Sequence, residues 1–234
     1  MRYARTPPAG LLTDLNAEVA SALKALGKTQ VLRPNQDLFY EGDPPTTVFL
    51  PLSGHLKATR LSEEGEARIV AVFRPGALLG EMAPLEGKAR SATVTAIKAV
   101  ELLSWPADVF FDFADREPSL WRHMAMTLSQ RLRDLNALHT ARHFLPFKGQ
   151  LAVVLLQLAE DLGTQSRTRG TCIDLKLTQS DLAEMVGATR EYVSRAVRDL
   201  IAEGILAKDD GRYVLCAPQR LEQLAEGLKR VKDG

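Results

Sequence analysis

Cysteine is scarce in this chain, which has only Cys172 and Cys216 among its 234 residues. Two thiolates cannot supply the four cysteine ligands that hold a typical iron–sulfur cluster. The two residues are far apart in sequence, so we expect both thiols to be reduced and structural. The four histidines form no visible cluster with carboxylates, and we therefore expect no metal site and no haem.

Long apolar runs are also missing. No stretch of about 18 apolar residues occurs, which predicts that no segment spans a membrane. The N-terminal sequence MRYARTPPAG lacks an apolar signal core, and we therefore expect a cytoplasmic protein. The net charge is +1, with 30 Lys and Arg residues against 29 Asp and Glu residues. Any surface for nucleic acid must therefore depend on the local placement of charge.

The first half of the chain is predicted to begin with a helix and to continue as strands. Apolar residues at helical spacing predict a helix over residues 11–26, with Thr13 or Asp14 as its cap. From Val31 the apolar residues alternate with a period of two, and glycines divide them roughly every 11 residues. Strands of that spacing predict an antiparallel β-roll of jelly-roll type within an α+β protein.

A long helix is predicted after the strands. A short helix over residues 107–114 precedes it, and leucines then repeat every three or four residues from about Pro118 to His143. The narrow apolar stripe fits either packing on the chain's own barrel or pairing with the same helix of a second copy. Its charged flanks favour the pair, and hence a homodimer.

The second half is predicted to form a separate domain. Pro146 and Gly149 mark a hinge, so we place the boundary between a domain of residues 1–145 and a domain of residues 146–234. The elements predicted in the second domain are a helix at 151–162, a polar loop at 163–170, a short strand at 171–175, a hairpin at 206–215 and a closing helix at 218–231.

Residues 80–94 carry the first pattern with a specific chemistry. Gly80 allows a close backbone approach, and a helical turn after it would offer free N–H groups to an anion. Glu81 can accept hydrogen bonds from ribose hydroxyls, whereas Arg90 and Ser91 can donate to a phosphate. The pattern therefore suits a sugar phosphate, although an isolated Gly-Glu pair is more often a surface turn.

Residues 178–203 carry the second pattern. Thr178 and Asp181 form a capping pattern that starts a helix, Gly187 supplies a turn, and Thr189 can cap a second helix. The apolar residues of the second helix lie on one side, which leaves its charged residues outside. This arrangement predicts a helix-turn-helix whose second helix can enter the major groove of DNA.

The two patterns together resemble the Crp/Fnr family of bacterial transcription regulators. G-E-hydrophobic-A, a spacer and R-S-A-T at residues 80–93 are similar to the phosphate-binding cassette of cyclic-nucleotide-binding domains. R-E-x-x-x-R at residues 190–195 matches the recognition helix of Crp-type regulators. The resemblance covers nearly the whole chain. It implies an effector domain with a long dimerisation helix, a winged helix-turn-helix domain, and an allosteric regulator rather than an enzyme.

The resemblance also implies roles for individual residues. For the effector, cAMP or cGMP, the implied contacts are Gly80, Glu81, Met82, Arg90, Ser91, Arg131, Leu135 and Asn136. For DNA, the implied base contacts are Arg190, Glu191 and Arg195. The implied phosphate contacts are Thr178, Gln179, Thr189 and Tyr192. The implied partners are a palindromic double-stranded operator with TGTGA-like half-sites, a second copy of the chain and RNA polymerase, but no membrane.

One of the two positions that contact the base in the family's cAMP receptors departs from the family pattern. Where the family's cAMP receptors usually have Thr followed by Ser or Asn, this chain has Leu135 and Asn136. Leucine cannot donate a hydrogen bond to a purine edge, which leaves cAMP, cGMP and weak discrimination open. A regulator with a different effector, or with constitutive DNA binding, is therefore a second interpretation. A metal-dependent barrel enzyme is a third, but it lacks ligands and does not explain residues 178–203.

Overall fold

The computed structural model describes residues 10–63, 65, 67–165 and 170–227. Contacts between residues divide the chain into two compact units, 1–129 and 130–234. The contacts group the second half of the long helix with the residues that follow it. This grouping does not test the domain boundary predicted between residues 145 and 146, which stays a prediction.

Two antiparallel sheets form the centre of the first unit, with strand orders β1-β7-β3 and β2-β6-β4-β5. Ala92, Val94 and Ala96 alternate inward, as predicted, and help to fill the core between strands. These sheets and the helices around them confirm the predicted jelly-roll-like α+β architecture. The elements are α1 Leu11–Asp14, α2 Ala17–Leu26, β1 Lys28–Leu32, β2 Asp37–Phe39, β3 Thr47–Pro51, β4 Leu56–Leu61, β5 Ala67–Phe73, α3 Met82–Glu86, β6 Thr93–Ala96, β7 Val100–Pro106, α4 Ala107–Arg116 and α5 Pro118–Phe144, of which α5 continues into the second unit.

The predicted N-terminal helix is in fact two helices, because the backbone is extended at Leu15 and Asn16. The Asn16 side chain accepts a hydrogen bond from the backbone N–H of Val19 at 2.8 Å, and so caps α2. The predicted caps were therefore wrong. The hydroxyl of Thr13 donates to the carbonyl of Gly10 at 2.6 Å, and the carboxylate of Asp14 lies 2.8 Å from Nδ1 of His123.

The second unit contains the helix-turn-helix and a small antiparallel sheet of order β10-β11-β9-β8. Asp210 and Gly211 both have positive φ, +46° and +77°, which is the backbone of a tight hairpin turn and confirms the predicted wing. The elements after α5 are α6 Phe147–Leu162, β8 Gly163–Gln165, β9 Thr171–Ile173, α7 Gln179–Val186, α8 Arg190–Ala202, β10 Leu206–Asp209, β11 Arg212–Leu215 and α9 Pro218–Ala225.

Of the two residues predicted to mark a hinge, Pro146 lies in the break between α5 and α6, whereas the assignment of Gly149 to the hinge was wrong. Helix α6 begins at Phe147 and contains Gly149, which is buried, and a Cβ at that position would lie 2.7 Å from the carbonyl oxygen of Leu224. Gly149 therefore allows α6 to pack closely on α9, and only Leu145 and Pro146 separate α5 from α6.

Two further boundaries differ from the prediction. The expected polar loop at 163–170 begins with strand β8, which pairs with β9, while residues 166–169 lie outside the described residues. The closing helix α9 ends at Ala225, and the predicted residues 228–231 also lie outside the described residues. Within the described part of the chain, no helix has both the length and the apolar character needed to span a bilayer.

Candidate functional site

The cassette, residues 80–94, begins at a glycine that no other residue could replace without strain. Gly80 has φ of +78°, a conformation that side chains disfavour. A Cβ at this position would lie 2.9 Å from Nη1 of Arg90 and 3.3 Å from the carbonyl oxygen of Thr47. The preceding residue, Leu79, pairs with Phe49 of β3 through two backbone hydrogen bonds. The start of the cassette is therefore fixed against β3.

Arg90 points into the first unit and is only 4% exposed. Its Nη1 donates to the carbonyl of Gly80 at 2.6 Å, and its Nη2 donates to the carbonyl of Thr47 at 2.5 Å. The guanidinium also lies over the ring of Phe39, 4.4 Å from the ring centroid, and this ring stacks on Phe49. Such a cation–π contact adds to the hydrogen bonds in fixing the side chain.

The electrostatic environment of Arg90 combines burial with nearby carboxylates. Burial lowers the pKa of the Arg90 guanidinium, while the charges of Asp43 and Glu81 act in the opposite direction. Glu81 is itself only 2% exposed. The backbone N–H of Arg90 donates to the carbonyl of Asp43 at 2.9 Å. Arg90 therefore joins the cassette to the turn before β3 and to strand β3 itself.

The structure brings together Gly80, Glu81 and Arg90, as the sequence predicted. Met82 is 40% exposed and Ser91 is also exposed, so both lie at the surface of the cassette. No sequence pattern indicated Phe39 and Thr47, because these residues lie some 40 to 50 positions before Arg90 and belong to no local motif. Of the described residues, no three His, Cys, Asp or Glu side chains are grouped so as to hold a metal ion.

The remaining predicted effector contacts lie on the part of α5 that belongs to the second unit. Leu135 is 56% exposed, Asn136 is exposed and Arg131 is half-buried. Their predicted contacts with an effector stay predictions. Leu132 is 59% exposed on the same helix, so two leucines of the apolar stripe are uncovered in a single chain.

The first helix of the helix-turn-helix is capped by its own side chains. The hydroxyl oxygen of Thr178 accepts from the backbone N–H of Asp181 at 3.0 Å, and the carboxylate of Asp181 accepts from the backbone N–H of Thr178 at 2.8 Å. This is the reciprocal capping box that the sequence predicted. Gly187 ends α7 in the left-handed conformation, and Thr189 caps α8 by accepting from Tyr192 N–H at 3.4 Å.

Helix α8 presents charged side chains on the face opposite its apolar residues. Val193, Val197 and Leu200 are buried, whereas Arg190 and Arg195 are exposed. A shallow depression follows the exposed face, and its lining residues are Gln179, Arg190, Glu191, Ser194, Arg195 and Arg198. The structure therefore brings the predicted base-contacting residues together with Gln179 of α7 on one surface. Such a row of arginine and carboxylate groups can donate to guanine and accept from cytosine.

Tyr192 of the same helix contacts a second aromatic ring. The ring is 60% exposed and packs edge-on against the ring of Phe147, with centroids 5.6 Å apart and an interplanar angle of 74°. Phe147 lies 45 positions earlier, outside the helix-turn-helix motif, so no local pattern could indicate the contact.

Family models match both halves of the chain. A cyclic nucleotide-binding domain matches residues 29–117, which include the cassette. A Crp-like helix-turn-helix domain matches residues 149–224, which include α7 and α8.

Individual relatives extend over most of the chain. The cyclic AMP receptor protein of Thermus thermophilus is 30% identical over 192 residues, which are 82% of this chain and 85% of that protein. The global nitrogen regulator of a Nostoc species is 32% identical over 168 residues, 71% of this chain and 75% of the relative. A solved structure of a CRP/FNR-family transcriptional regulator from Thermus thermophilus is similar with a TM-score of 0.66 at 27% identity, and covers 85% of this chain and 98% of its own.

Proposed function

The chain belongs to the Crp/Fnr family of transcription regulators, and from this premise we propose that it is a homodimeric DNA-binding regulator controlled allosterically by cAMP or cGMP. The observation that carries the proposal is that one chain combines the buried Arg90 of the cassette with an exposed Arg190, Glu191 and Arg195 face on α8. The first arrangement suits a small anion and the second suits base edges.

The cassette supports a cyclic nucleotide as the effector through charge and hydrogen-bonding capacity. A cyclic phosphate carries one negative charge, which the Arg90 guanidinium can match. Glu81 lies close enough for its charge to act on Arg90, and its carboxylate can accept from a ribose hydroxyl. Phe39 and two carbonyls fix Arg90, and its Nε has no hydrogen-bond partner among the described residues, which leaves an N–H donor for an incoming phosphate.

The long helix supports the homodimer. Leu132 and Leu135 are more than half exposed in the single chain, and apolar residues at this spacing are typically covered by a partner helix. A second copy supplies an identical stripe, and a twofold axis through it would pair the two recognition helices with a palindromic operator. We expect the bound regulator to act with RNA polymerase.

Calorimetry with cAMP and cGMP on the full chain tests the effector assignment. Arg90→Ala is expected to weaken nucleotide binding by roughly tenfold or more, because losing a charge-assisted partner costs about 1.5–3 kcal/mol. Lys88→Ala is the matched control, since Lys88 is a cassette cation whose charge pairs with Glu86 at the surface. Unchanged affinity in a folded Arg90→Ala variant would remove the basis for the assignment.

Selection from random double-stranded DNA tests the operator assignment. We expect a palindrome with TGTGA-like half-sites centred about one helical turn apart. Replacing Glu191 should relax the preference at one base pair, because a carboxylate accepts from the amino group of cytosine. A selection that returns no palindrome would contradict a paired recognition helix.

A second candidate is a regulator of the same family with a different effector or with constitutive DNA binding. Two observations favour it: Leu135 offers no hydrogen bond to a base, and protein carbonyls already accept from both terminal nitrogens of Arg90. This candidate predicts that neither cAMP nor cGMP gives a calorimetric signal, while the selected operator is still bound.

A further inference from the structure

We propose that Phe147 is a positioning residue for DNA recognition, and that it acts through Tyr192. This inference rests on the proposed function, because it assigns a role at the DNA-binding surface. Phe147 is the first residue of α6 and directly follows Pro146, whereas Tyr192 lies in the first turn of the recognition helix α8.

The contact between the two rings has the geometry of a favourable aromatic pair. The centroids are 5.6 Å apart and the planes meet at 74°, which directs the positive edge of one ring toward the negative face of the other. Phe147 is half-buried, whereas Tyr192 is 60% exposed. One side of the tyrosine ring is therefore supported by protein while the rest projects from the surface.

Support of this kind matters because the predicted role of Tyr192 is a hydrogen bond to a DNA phosphate. A phenol hydroxyl stands at the end of a rigid ring, so its position depends on few torsion angles. A neighbouring ring that restricts those torsion angles lowers the entropy lost when the hydroxyl meets the phosphate. Phe147 therefore contributes to DNA affinity without contacting DNA.

The next residue of α6 contacts the other end of α8. Nζ of Lys148 lies 3.0 Å from Oδ2 of Asp199 and 3.1 Å from Oε1 of Glu203, and the hydrogen bond to Asp199 is the main cause that raises the pKa of Lys148. The first turn of α6 thus contacts α8 near both of its ends. These ion pairs are partly exposed and contribute little individually, so we assign the positioning of Tyr192 to the aromatic pair.

A double-mutant cycle on the full chain tests the inference. The affinity for the selected operator is measured by fluorescence anisotropy for wild type, Phe147→Leu, Tyr192→Ala and the double variant. We expect Phe147→Leu to weaken binding by about 2- to 12-fold, the range of a typical aromatic pair, and to have no further effect when Tyr192 is already alanine. Phe147→Tyr keeps the ring and should restore binding.

Two controls distinguish the positioning of Tyr192 from other causes of weaker DNA binding: the salt dependence of the affinity and the thermal stability of each variant. The dependence of affinity on salt should be unchanged in Phe147→Leu, because a tyrosine hydroxyl neutralises no phosphate charge and releases no counterion. Thermal unfolding of each variant shows whether the fold is kept. An equal loss with and without Tyr192, or no loss at all, overturns the inference while leaving DNA binding intact. Failure of wild type to bind any DNA overturns the proposed function and the inference together.

Discussion

At the residue scale, Gly80 meets two requirements at once. Its backbone is left-handed, and its missing side chain leaves room for the guanidinium of Arg90. Gly87 shares only the first requirement: its φ is +66°, and apart from its chain neighbours no described residue has an atom within 4 Å of a Cβ built there. Substitutions at the two glycines therefore distinguish the effect of backbone strain, expected at both, from the effect of displacing Arg90, expected only at Gly80.

We predict that Gly80→Ala destabilises the first unit by about 1–3 kcal/mol through strain and also weakens nucleotide binding, because the new methyl group displaces Arg90. Gly87→Ala should destabilise the first unit through the same kind of strain but leave nucleotide affinity nearly unchanged. Urea unfolding and calorimetry with cAMP measure the two effects. Equal nucleotide affinity in both variants would show that the position of Arg90 does not control binding.

Tyr213 gives a second prediction at the residue scale, because its hydroxyl is buried without a hydrogen-bond partner among the described residues. The residue is 0% exposed. An unpaired buried hydroxyl costs about 1–3 kcal/mol. Tyr213→Phe should therefore be neutral or stabilising at pH 7, as measured by urea unfolding, and a large loss would reveal a partner for the hydroxyl.

The same substitution has a predicted pH dependence. Burial, with a smaller contribution from Asp181, raises the pKa of Tyr213 above its ordinary value. Stability from a group with a raised pKa is complete below the unfolded pKa, about 10 for tyrosine, and is lost as pH rises further. Tyr213→Phe removes that loss, so its advantage over wild type should grow above about pH 10. If the difference in unfolding free energy between Tyr213→Phe and wild type stays constant as the pH rises, the raised pKa of Tyr213 is contradicted.

At the element scale, the helix-turn-helix was predictable because each of its boundaries is set by local chemistry. Thr178 with Asp181 starts α7, Gly187 ends it in a left-handed conformation, and Thr189 starts α8. These interactions span three residues or fewer, or belong to a single residue. A short sequence pattern is therefore sufficient to predict where these two helices begin and end.

Other features depend on contacts that are distant in sequence, and the sequence did not reveal them. Phe39 of β2 and Thr47 of β3 hold the Arg90 side chain in place. The backbone of Leu224 in α9 leaves no room for a side chain at position 149 of α6, which accounts for the glycine there. Both features had a plausible local interpretation, a surface turn for the start of the cassette and a hinge for Gly149. Only tertiary packing distinguishes these interpretations from the observed roles.

The capping box of α7 leads to a prediction about Thr178, whose hydroxyl also donates to Oδ2 of Asp181 at 2.7 Å. Thr178→Val should destabilise the second unit by about 0.5–2 kcal/mol through loss of the cap, and should weaken binding to all DNA sequences alike. Thr178→Ser keeps the hydroxyl and should resemble wild type. Weaker DNA binding without destabilisation in the valine variant would instead assign the hydroxyl to a phosphate alone.

At the scale of the whole molecule, one helix carries residues of both units. Helix α5 runs from Pro118 to Phe144, and the boundary between the units lies between residues 129 and 130. An effector can change DNA affinity only if it binds two arrangements of the protein with different affinity. The proposed switch therefore requires a measurable coupling free energy between the cassette and α8, and this coupling must be reciprocal.

We predict that saturating cAMP or cGMP raises the affinity for the selected operator by roughly 5- to 150-fold, the usual range of allosteric coupling. The measurement is operator affinity with and without nucleotide at one fixed salt concentration, because phosphate contacts are salt-dependent. By reciprocity, operator DNA should raise nucleotide affinity by the same factor, which calorimetry can check. Arg90→Ala, whose guanidinium is lost while α8 is untouched, should bind the operator with little response to the same nucleotide concentration. Equal operator affinities in wild type, with nucleotide binding separately confirmed, would contradict the switch and favour a constitutive regulator.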